Sequence, residues 1–346
     1  MRHAVALIAL VAACGSPKPP EGPTDAEQRE KITTGMHQAL LTEIQVLKGA
    51  AQDLKAHAPV RSGAAGWELP ADAAAIAQLK LDWAKARTAY EHIEGAIAPL
   101  FPEIDLAIDG RYDDHLEGLN GLGDPNPFDG QGVIGMHGIE RILWADSIPP
   151  GVTRVESTLP GYAAAAFPTT EAEARDFKEK LVTQLVSDVQ KLETQWSPAK
   201  IDLAGAFQGL EALMVEQREK VNNASNNLEE SRYSQATMRD LRDNLAGTRT
   251  IYRLFQPWLK TKGSDVDARI EAGFDALDAA YDEVQGDSIP APPDQWSAEM
   301  PRAEHLGTPF GKLYTKVRAA TDATVPGSLA TELAAAGVLM GFPSGM

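Results

Sequence analysis

The chain has 346 residues, of which 43% are hydrophobic and 6% aromatic, and a net charge of -17 at pH 7. This length allows a sizeable core or two packed subdomains. Abundant alanine and few β-branched runs favour closely packed helices. The negative charge argues against nucleic acid as a partner and against anionic lipid surfaces, whereas it attracts cations. A single cysteine leaves neither a disulfide framework nor a thiolate metal site.

The N-terminal segment is predicted to lie outside the fold. A short charged stretch precedes the apolar run 4–13, which is too short to cross a bilayer but typical of a signal peptide. The run ends in VAAC, and small residues before Cys14 are typical of a bacterial lipobox. We interpret 1–13 as a lipoprotein signal peptide, Cys14 as the lipidation site and 14–24 as a disordered tether. A plain secretory signal is the alternative.

Lipidation at Cys14 would anchor the protein on the periplasmic side of a bacterial membrane. Gly15, rather than Asp, follows the cysteine, which slightly favours the outer membrane. The rest of the chain holds no segment apolar enough to span a bilayer. The sequence therefore predicts a lipid anchor to the membrane and a soluble body.

Helical periodicity covers most of the remaining chain. Apolar residues recur at intervals of three, four and seven, and proline or glycine clusters end each run. The predicted helices are about 25–57, 72–98, 131–144, 170–195, 203–227, 234–259, 264–285, 309–323 and 328–340. Turn-forming and acidic residues fill 102–129, and 147–169 is predicted to be a long connection. No segment alternates as a strand does, so the fold class is predicted to be all-α.

A faint internal repeat relates the two halves of the chain. ARTAYEHIE at 86–94 resembles GTRTIYRLFQ at 247–256, with Arg-Thr-x-Tyr in the same register. Together with the long connection, this repeat predicts a first helical bundle at about 25–146 and a second at about 170–342. Arg253 stands where the first half has Glu91, which predicts a single functional site, in the first bundle.

The segment GVIGMHGIERILW, residues 132–144, places one His and one Glu a helical turn apart. His137 and Glu140 can meet on one helix face, and the neighbouring glycines allow another backbone to approach. The bare HxxE pattern is weak, because roughly half a match is expected by chance in this composition. A metal site and a surface ion pair are both open for these two residues.

Acidic residues in the first half could complete a metal site. Glu91 and Glu94 lie one turn apart, and Asp109 ends a short apolar run. Together with His137 and Glu140, Glu91 and Asp109 form a donor set of three oxygens and one nitrogen that suits iron, manganese or zinc. Glu91 and Glu94 could instead be solvated, Glu94 more readily than Glu91, and Asp109 could be a turn residue or a helix cap. The chain contains no HExxH helix, P-loop, Rossmann glycine run or nucleophile elbow.

Several ordered blocks make the chain resemble the imelysin-like family, and within it the EfeO-type periplasmic iron-uptake proteins. GMHGIE fits the family's GxHxxE motif, and ARTAYEHIE, AIDGRYDDH and SRYSQATMRDLRDNLAGTRTIY resemble further blocks in the family's order. The likeness extends over about 32–341. The sequence shows no counterpart of the cupredoxin domain that some EfeO proteins carry, and the loop before His137 is longer.

The resemblance implies two pseudo-symmetric four-helix bundles and a metal site. Its ligands would be His137, Glu140, Glu91 and Asp109, with Glu94 as a further candidate. The metal would most readily be iron, with zinc or manganese as other ions, and an iron permease in the membrane would receive it. No catalytic residue is implied. A zinc-dependent metallopeptidase of the imelysin type and a helical protein-interaction module without metal are the alternative functions.

Overall fold

The computed structural model describes residues 22–63, 65–118 and 122–343, which form an α-helical protein. Within these ranges there is no strand, and an isolated bridge joins Ala65 to Thr170. The prediction of an all-α fold is confirmed. None of the helices in this part of the chain has the length and apolarity needed to cross a membrane. The predicted signal peptide, Cys14 and most of the predicted tether lie outside the described residues.

The described ranges contain fifteen α-helices, one π-helical turn and one 3-10 turn. The helices are α1 Asp25–His57, α2 Ala73–Glu91, α3 Glu94–Leu100, α4 Pro102–Asp109, α5 Tyr112–Gly118, α6 Gly135–Leu143, α7 Pro150–Glu156, α8 Glu171–Asp176, α9 Val182–Trp196, α10 Leu203–Asn223, α11 Thr237–Lys262, α12 Ser264–Asp282, α13 Ala303–Leu306, α14 Pro309–Thr321 and α15 Leu329–Leu339. A π-helical turn, Phe177–Leu181, joins α8 to α9, and a 3-10 turn, Ala224–Asn226, follows α10.

The first helix has the bounds that its periodicity predicts. Thr24 and Glu27 form a reciprocal capping box at its start, which satisfies backbone N–H groups that the helix leaves free. The apolar residues on its inner face, all buried, are Ile32, Met36, Leu40, Ile44 and Leu47. Helix α1 therefore forms one wall of the core.

Three segments differ from the prediction. Helix α7 lies within the predicted connection 147–169. The single helix expected over 72–98 is broken at Ile93 into α2 and α3. Residues 102–118, predicted as turns, form α4 and α5, because Pro102 occupies the first turn of α4, where its missing N–H costs no hydrogen bond. The sequence pattern treats Pro102 as the end of a helix, whereas in the structure it begins α4.

Helix packing joins elements that are distant in the sequence. Helix α1 contacts α2, α9 and α11, while α10 contacts α3, α14 and α15. Helix α9 follows the long connection and was assigned to the second bundle, yet it packs on α1, α4 and α6. Its apolar face, ending in the buried Trp196, covers the first group of helices. The division into bundles at 147–169 stays a prediction.

A buried acid on α9 gives a test of the packing. Asp188 is buried, and the Gln184 amide donates to both of its oxygens at 3.0 Å. Burial raises the pKa of Asp188, while the Gln184 hydrogen bond and Lys191 oppose that rise. Because the folded protein holds this proton more tightly than the unfolded chain, the stability from Asp188 falls as pH rises through the raised pKa. Asp188→Asn should therefore raise Tm at pH 7.

The gain should shrink as the pH falls from 7 to 4, because protonation of the folded carboxyl removes the buried charge that the amide replaces. Thermal unfolding at both pH values measures this difference. Asp294→Asn, a change of an exposed aspartate, is the control and should leave Tm unchanged at both pH values. A lower Tm for Asp188→Asn at pH 7 would contradict the prediction.

Candidate metal centre

A buried polar cluster lies where the ends of helices from both halves of the chain meet. Its members are Arg87 and Glu91 of α2, Glu94 of α3, Asp109 of α4, His137 and Glu140 of α6, Lys220 of α10, Glu230, and Asp240 and Asn244 of α11. The sequence placed the site in the first bundle alone. The structure adds Lys220 and the segment 230–244, because the start of α11 packs against α2.

Gly135 brings the start of α6 against the end of α4. Its φ is +75°, and a Cβ atom there would lie 2.6 Å from the backbone oxygen of Ile108. A side chain is therefore excluded by both backbone conformation and space. This contact places His137 beside Asp109, with Nε2 and Oδ1 3.4 Å apart. The glycine-rich start of the motif thus positions the first pair of site residues.

His137 lies between two carboxylates. Its Nδ1 is 2.8 Å from Oε2 of Glu140, whereas its Nε2 faces Asp109 and makes no aligned hydrogen bond, although the side chain is only 1% exposed. Burial and the Arg87 guanidinium lower the pKa of His137, but Asp109 and Glu140 outweigh them and raise it to about 9. A metal ion at Nε2 would therefore replace a proton, and a buried ring nitrogen that faces an acid without an aligned hydrogen bond is suited to that exchange.

Glu140 holds the His137 ring from the side opposite Asp109. Its Oε1 accepts a hydrogen bond of 2.8 Å from the backbone N–H of Ser234, and its Oε2 accepts from His137. Because a carboxylate only accepts, the proton of the neutral ring lies on Nδ1, which leaves the lone pair of Nε2 available to a cation. Both Glu140 oxygens are thus engaged, and its direct coordination of metal stays a prediction.

Glu230 is a candidate ligand that the sequence did not single out. It offers a ligand atom within 4.8 Å of those of Asp109 and His137. Burial raises the pKa of Glu230, but Lys220 and Arg87 outweigh it and hold that pKa well below its usual range. Glu230 stands directly before the block SRYSQATMRD, so the resemblance to relatives marks its position, although no periodic pattern does.

Arg87 sits among four carboxylates and is fully buried. It forms ion pairs with Asp109 and Glu91, a 2.9 Å contact with Glu230, and a 3.6 Å contact with Asp240. Burial lowers the pKa of Arg87, but these four carboxylates raise it well above its usual value. Glu91, Glu230 and Asp240 have oxygens within 4.8 Å of one another, and the guanidinium lies among them. Arg87 is therefore a cation built into the cluster.

Glu91 and Glu94 meet on Asn244, whose Nδ2 donates to both carboxylates, at 2.7 Å for Glu94. The chain turn at Ile93 lets the two acids face the same amide. Glu94 also lies 3.2 Å from Nζ of Lys220. Glu91 thus neutralises the charge of Arg87, and Glu94 neutralises that of Lys220. The metal-ligand roles predicted for both acids stay predictions.

The internal repeat is visible in matched side-chain contacts. The pairs are Tyr90–Asp105 and Tyr252–Asp267, each 15 residues apart, and Arg87–Asp109 and Arg249–Glu271, each 22 apart. Arg249 is 18% exposed and also binds two acids that face solvent. Both halves keep the same framework, but the arginine is buried in the first copy and lies nearer the surface in the second, whereas the Tyr252–Asp267 pair of the second copy is buried.

The fold and site together define an all-helical protein with a buried acid-and-histidine cluster. Residues 33–305 match the family model described as Imelysin (Peptidase_M75). The chain belongs to the imelysin family, and the resemblance read from the sequence is confirmed.

Curated relatives include two proteins named for iron uptake. The Iron uptake system component EfeO of Escherichia coli (strain K12) is 28% identical over 205 residues, which are 59% of this chain and 44% of that protein. The Iron uptake system component EfeM of Pseudomonas syringae pv. syringae (strain B728a) is 25% identical over 203 residues, 59% of this chain and 57% of that protein. The chain therefore spans about half the length of the relatives it matches.

A solved structure shares the fold at low sequence identity. It is a crystal structure from Parabacteroides distasonis ATCC 8503, assigned as an iron-regulated protein A precursor. The two chains are 15% identical, align over 94% of this chain and 97% of that one, and have a TM-score of 0.56. This likeness shows the common architecture alone.

Proposed function

We propose that the protein captures an iron ion outside the cytoplasm and is a component of an iron uptake system. The observation that carries the proposal is the Nε2 atom of His137, buried, without an aligned hydrogen bond, and grouped with oxygens of Asp109 and Glu230. One imidazole nitrogen with carboxylate oxygens suits iron, and also zinc or manganese. Iron is favoured because the relatives EfeO and EfeM are named as components of iron uptake systems.

The proposed ligands are Asp109, His137 and Glu230. This set keeps two of the residues predicted from the sequence and adds one from the segment before α11. Glu140 acts on the metal through His137, because its hydrogen bond to Nδ1 orients the ring and makes Nε2 more basic. Glu91 stabilises the site by holding Arg87 in place.

The proposal extends to location and partner. Lipidation at Cys14 would hold the protein on the periplasmic side of a bacterial membrane, with the outer membrane slightly favoured. The ion would pass to an iron permease, since an uptake system must move its cargo across a membrane. The lipobox and the relatives' names support this arrangement.

Calorimetry with metal-free protein tests the function. Fe(II) under nitrogen, Fe(III), Zn(II) and Mn(II) are titrated in turn, and Fe(II) or Fe(III) is expected to bind one site with a Kd of about 1 μM or lower. Binding no tighter than a general acidic surface provides would contradict the proposal and favour the protein-interaction module. Chelator-sensitive cleavage of a peptide library by the zinc-loaded protein would instead favour the metallopeptidase.

Glu230→Gln tests the ligand that the structure adds. Replacing one anionic ligand with a neutral amide should weaken iron binding about 100-fold, or about 2.7 kcal/mol. Glu229→Gln is the matched control, because the neighbouring carboxylate is also buried but binds the Gln235 amide at 2.7 Å. Burial raises the pKa of Glu229 to about 7, so its amide replaces a group that is already partly neutral.

The Glu229→Gln protein should bind iron within about twofold of the unmodified protein. Equal losses in the two variants would show a general effect of charge in this segment and would remove Glu230 from the ligand set. Both variants are measured by the same calorimetric titration.

A further inference from the structure

The buried cluster reaches solvent through three of its carboxylates, Glu94, Asp109 and Glu230. The side chains of Arg87 and Glu91 are 0% exposed and that of His137 is 1% exposed, whereas Asp109 is 12% and Glu230 11% exposed. Asp109 and Glu230 both line a cavity of about 290 Å³. The two proposed ligands that remain accessible therefore face the same space, and a cation in that space would meet them before His137.

The cavity is predominantly acidic. Besides Asp109 and Glu230 it is lined by Glu94, Glu216 and Glu219, with Arg111 and Lys220 as its cationic side chains. Five carboxylates against two cations produce a negative potential, which concentrates cations and speeds their association. The volume corresponds to roughly ten water molecules, so a metal ion can occupy it with its first hydration shell. An anionic chelate would be repelled.

Lys220 stands between this cavity and the cluster. Its Nζ is 2.8 Å from Oε2 of Glu230, 3.2 Å from Oε1 of Glu94 and 3.1 Å from Oδ1 of Asn244. A metal ion that takes Glu230 as a ligand would lie close to this ammonium group, and the repulsion between the two cations favours the departure of Lys220.

We propose that this cavity is the entrance through which a hydrated metal ion reaches His137, and that Lys220 is the resident cation that the ion displaces from Glu230. The inference rests on the proposed function and adds the route and the form of the cargo. The ion passes the carboxylates of the cavity, exchanges with Lys220 at Glu230, and loses water as it reaches Asp109 and His137.

Stopped-flow mixing with Fe(II) under nitrogen tests the entrance, with tryptophan fluorescence as the signal. Trp83 reports on the site because its indole N–H donates to the carbonyl of Met136 at 2.9 Å. At low salt, Glu219→Gln should slow association about threefold and Glu219→Lys about tenfold. Both differences should fall below twofold at about 0.5 M salt, because screening shortens the reach of exposed charges.

Glu304→Lys is the matched control, since it makes the same change in net charge at an exposed residue of α13 that does not line the cavity. It should leave the association rate within twofold. Equal slowing by Glu304→Lys and Glu219→Lys would overturn the entrance, because net charge alone would then explain the effect. Failure of the unmodified protein to bind either Fe(II) or Fe(III) would overturn the proposed function instead, so the two failures are distinguishable.

Two variants test the displacement of Lys220. Lys220→Gln removes the competing charge and should speed association about tenfold at both salt concentrations. Lys220→Arg keeps the positive charge that neutralises Glu94 and Glu230. Because a guanidinium binds a carboxylate through two hydrogen bonds, association should be no faster than in the unmodified protein. Faster association in Lys220→Arg, or unchanged or slower association in a folded Lys220→Gln protein, would overturn this role.

Discussion

His137→Ala is expected to weaken iron binding about 1,000-fold, or about 4 kcal/mol, with the helical fold preserved. The change removes the single imidazole nitrogen of the proposed ligand set and leaves Asp109 paired with Arg87 and Glu230 paired with Arg87 and Lys220. Calorimetry with Fe(II) under nitrogen measures the loss, and circular dichroism checks the helix content. The rise in Tm that a tight ligand produces should also disappear in the variant.

His92→Ala is the control for this experiment. His92 also stands between two carboxylates, at 3.5 Å from Glu43 and 3.7 Å from Asp243, but it is 29% exposed. Its replacement should change iron affinity by less than about twofold. Comparable losses in the two variants, or tight binding retained by His137→Ala, would remove His137 from the site.

Arg87→Met is expected to be the most destabilising single change considered for this cluster. Removing one partner of a buried ion pair costs about 3–5 kcal/mol, because the remaining charge is left without compensation. Here Asp109, Glu91, Glu230 and Asp240 lose the same counterion. Urea unfolding at pH 7 should therefore show a loss at the upper end of that range or beyond it.

Arg249→Met provides the control at the equivalent position of the repeat. Arg249 binds Glu271, Asp275 and Asp278 near the surface, where ion pairs contribute about 1 kcal/mol or less. Added Fe(II) should also raise the stability of Arg87→Met more than that of the unmodified protein, since a metal ion can replace the missing charge. Equal stability of the Arg87 and Arg249 variants would contradict the central role of Arg87.

The sequence predicts the fold well because the helices bury periodic apolar faces. Helix α1 begins and ends where its spacing indicates. The predictions fail at helix boundaries. Pro102 is predicted to end a helix but begins α4, and the apolar pattern over 72–98 does not reveal the turn at Ile93. Such turns depend on what packs against them, and periodicity carries no information on that.

The site is predicted only in part because its chemistry comes from tertiary contacts. His137 and Asp109 are brought together through Gly135, and glycines in the motif indicate this approach. Glu230 lies between α10 and α11, in a segment without periodicity. Arg87 precedes Glu91 by one helical turn, which resembles an ordinary surface ion pair until its burial is known. Spacing identifies which side chains can meet, whereas burial decides which charges must be balanced.

The Arg87 guanidinium at the centre of the cluster affects whether the protein stays folded when no metal ion is bound. Many small metal-binding domains unfold without their ion, because the ion's charge holds the acids together. In this chain Arg87 already neutralises those acids, and Lys220 does so at the border. We therefore expect the protein to stay folded without a metal ion. In its proposed role it could then release the ion and bind again without refolding, so its affinity can be tuned for exchange rather than for holding the chain together.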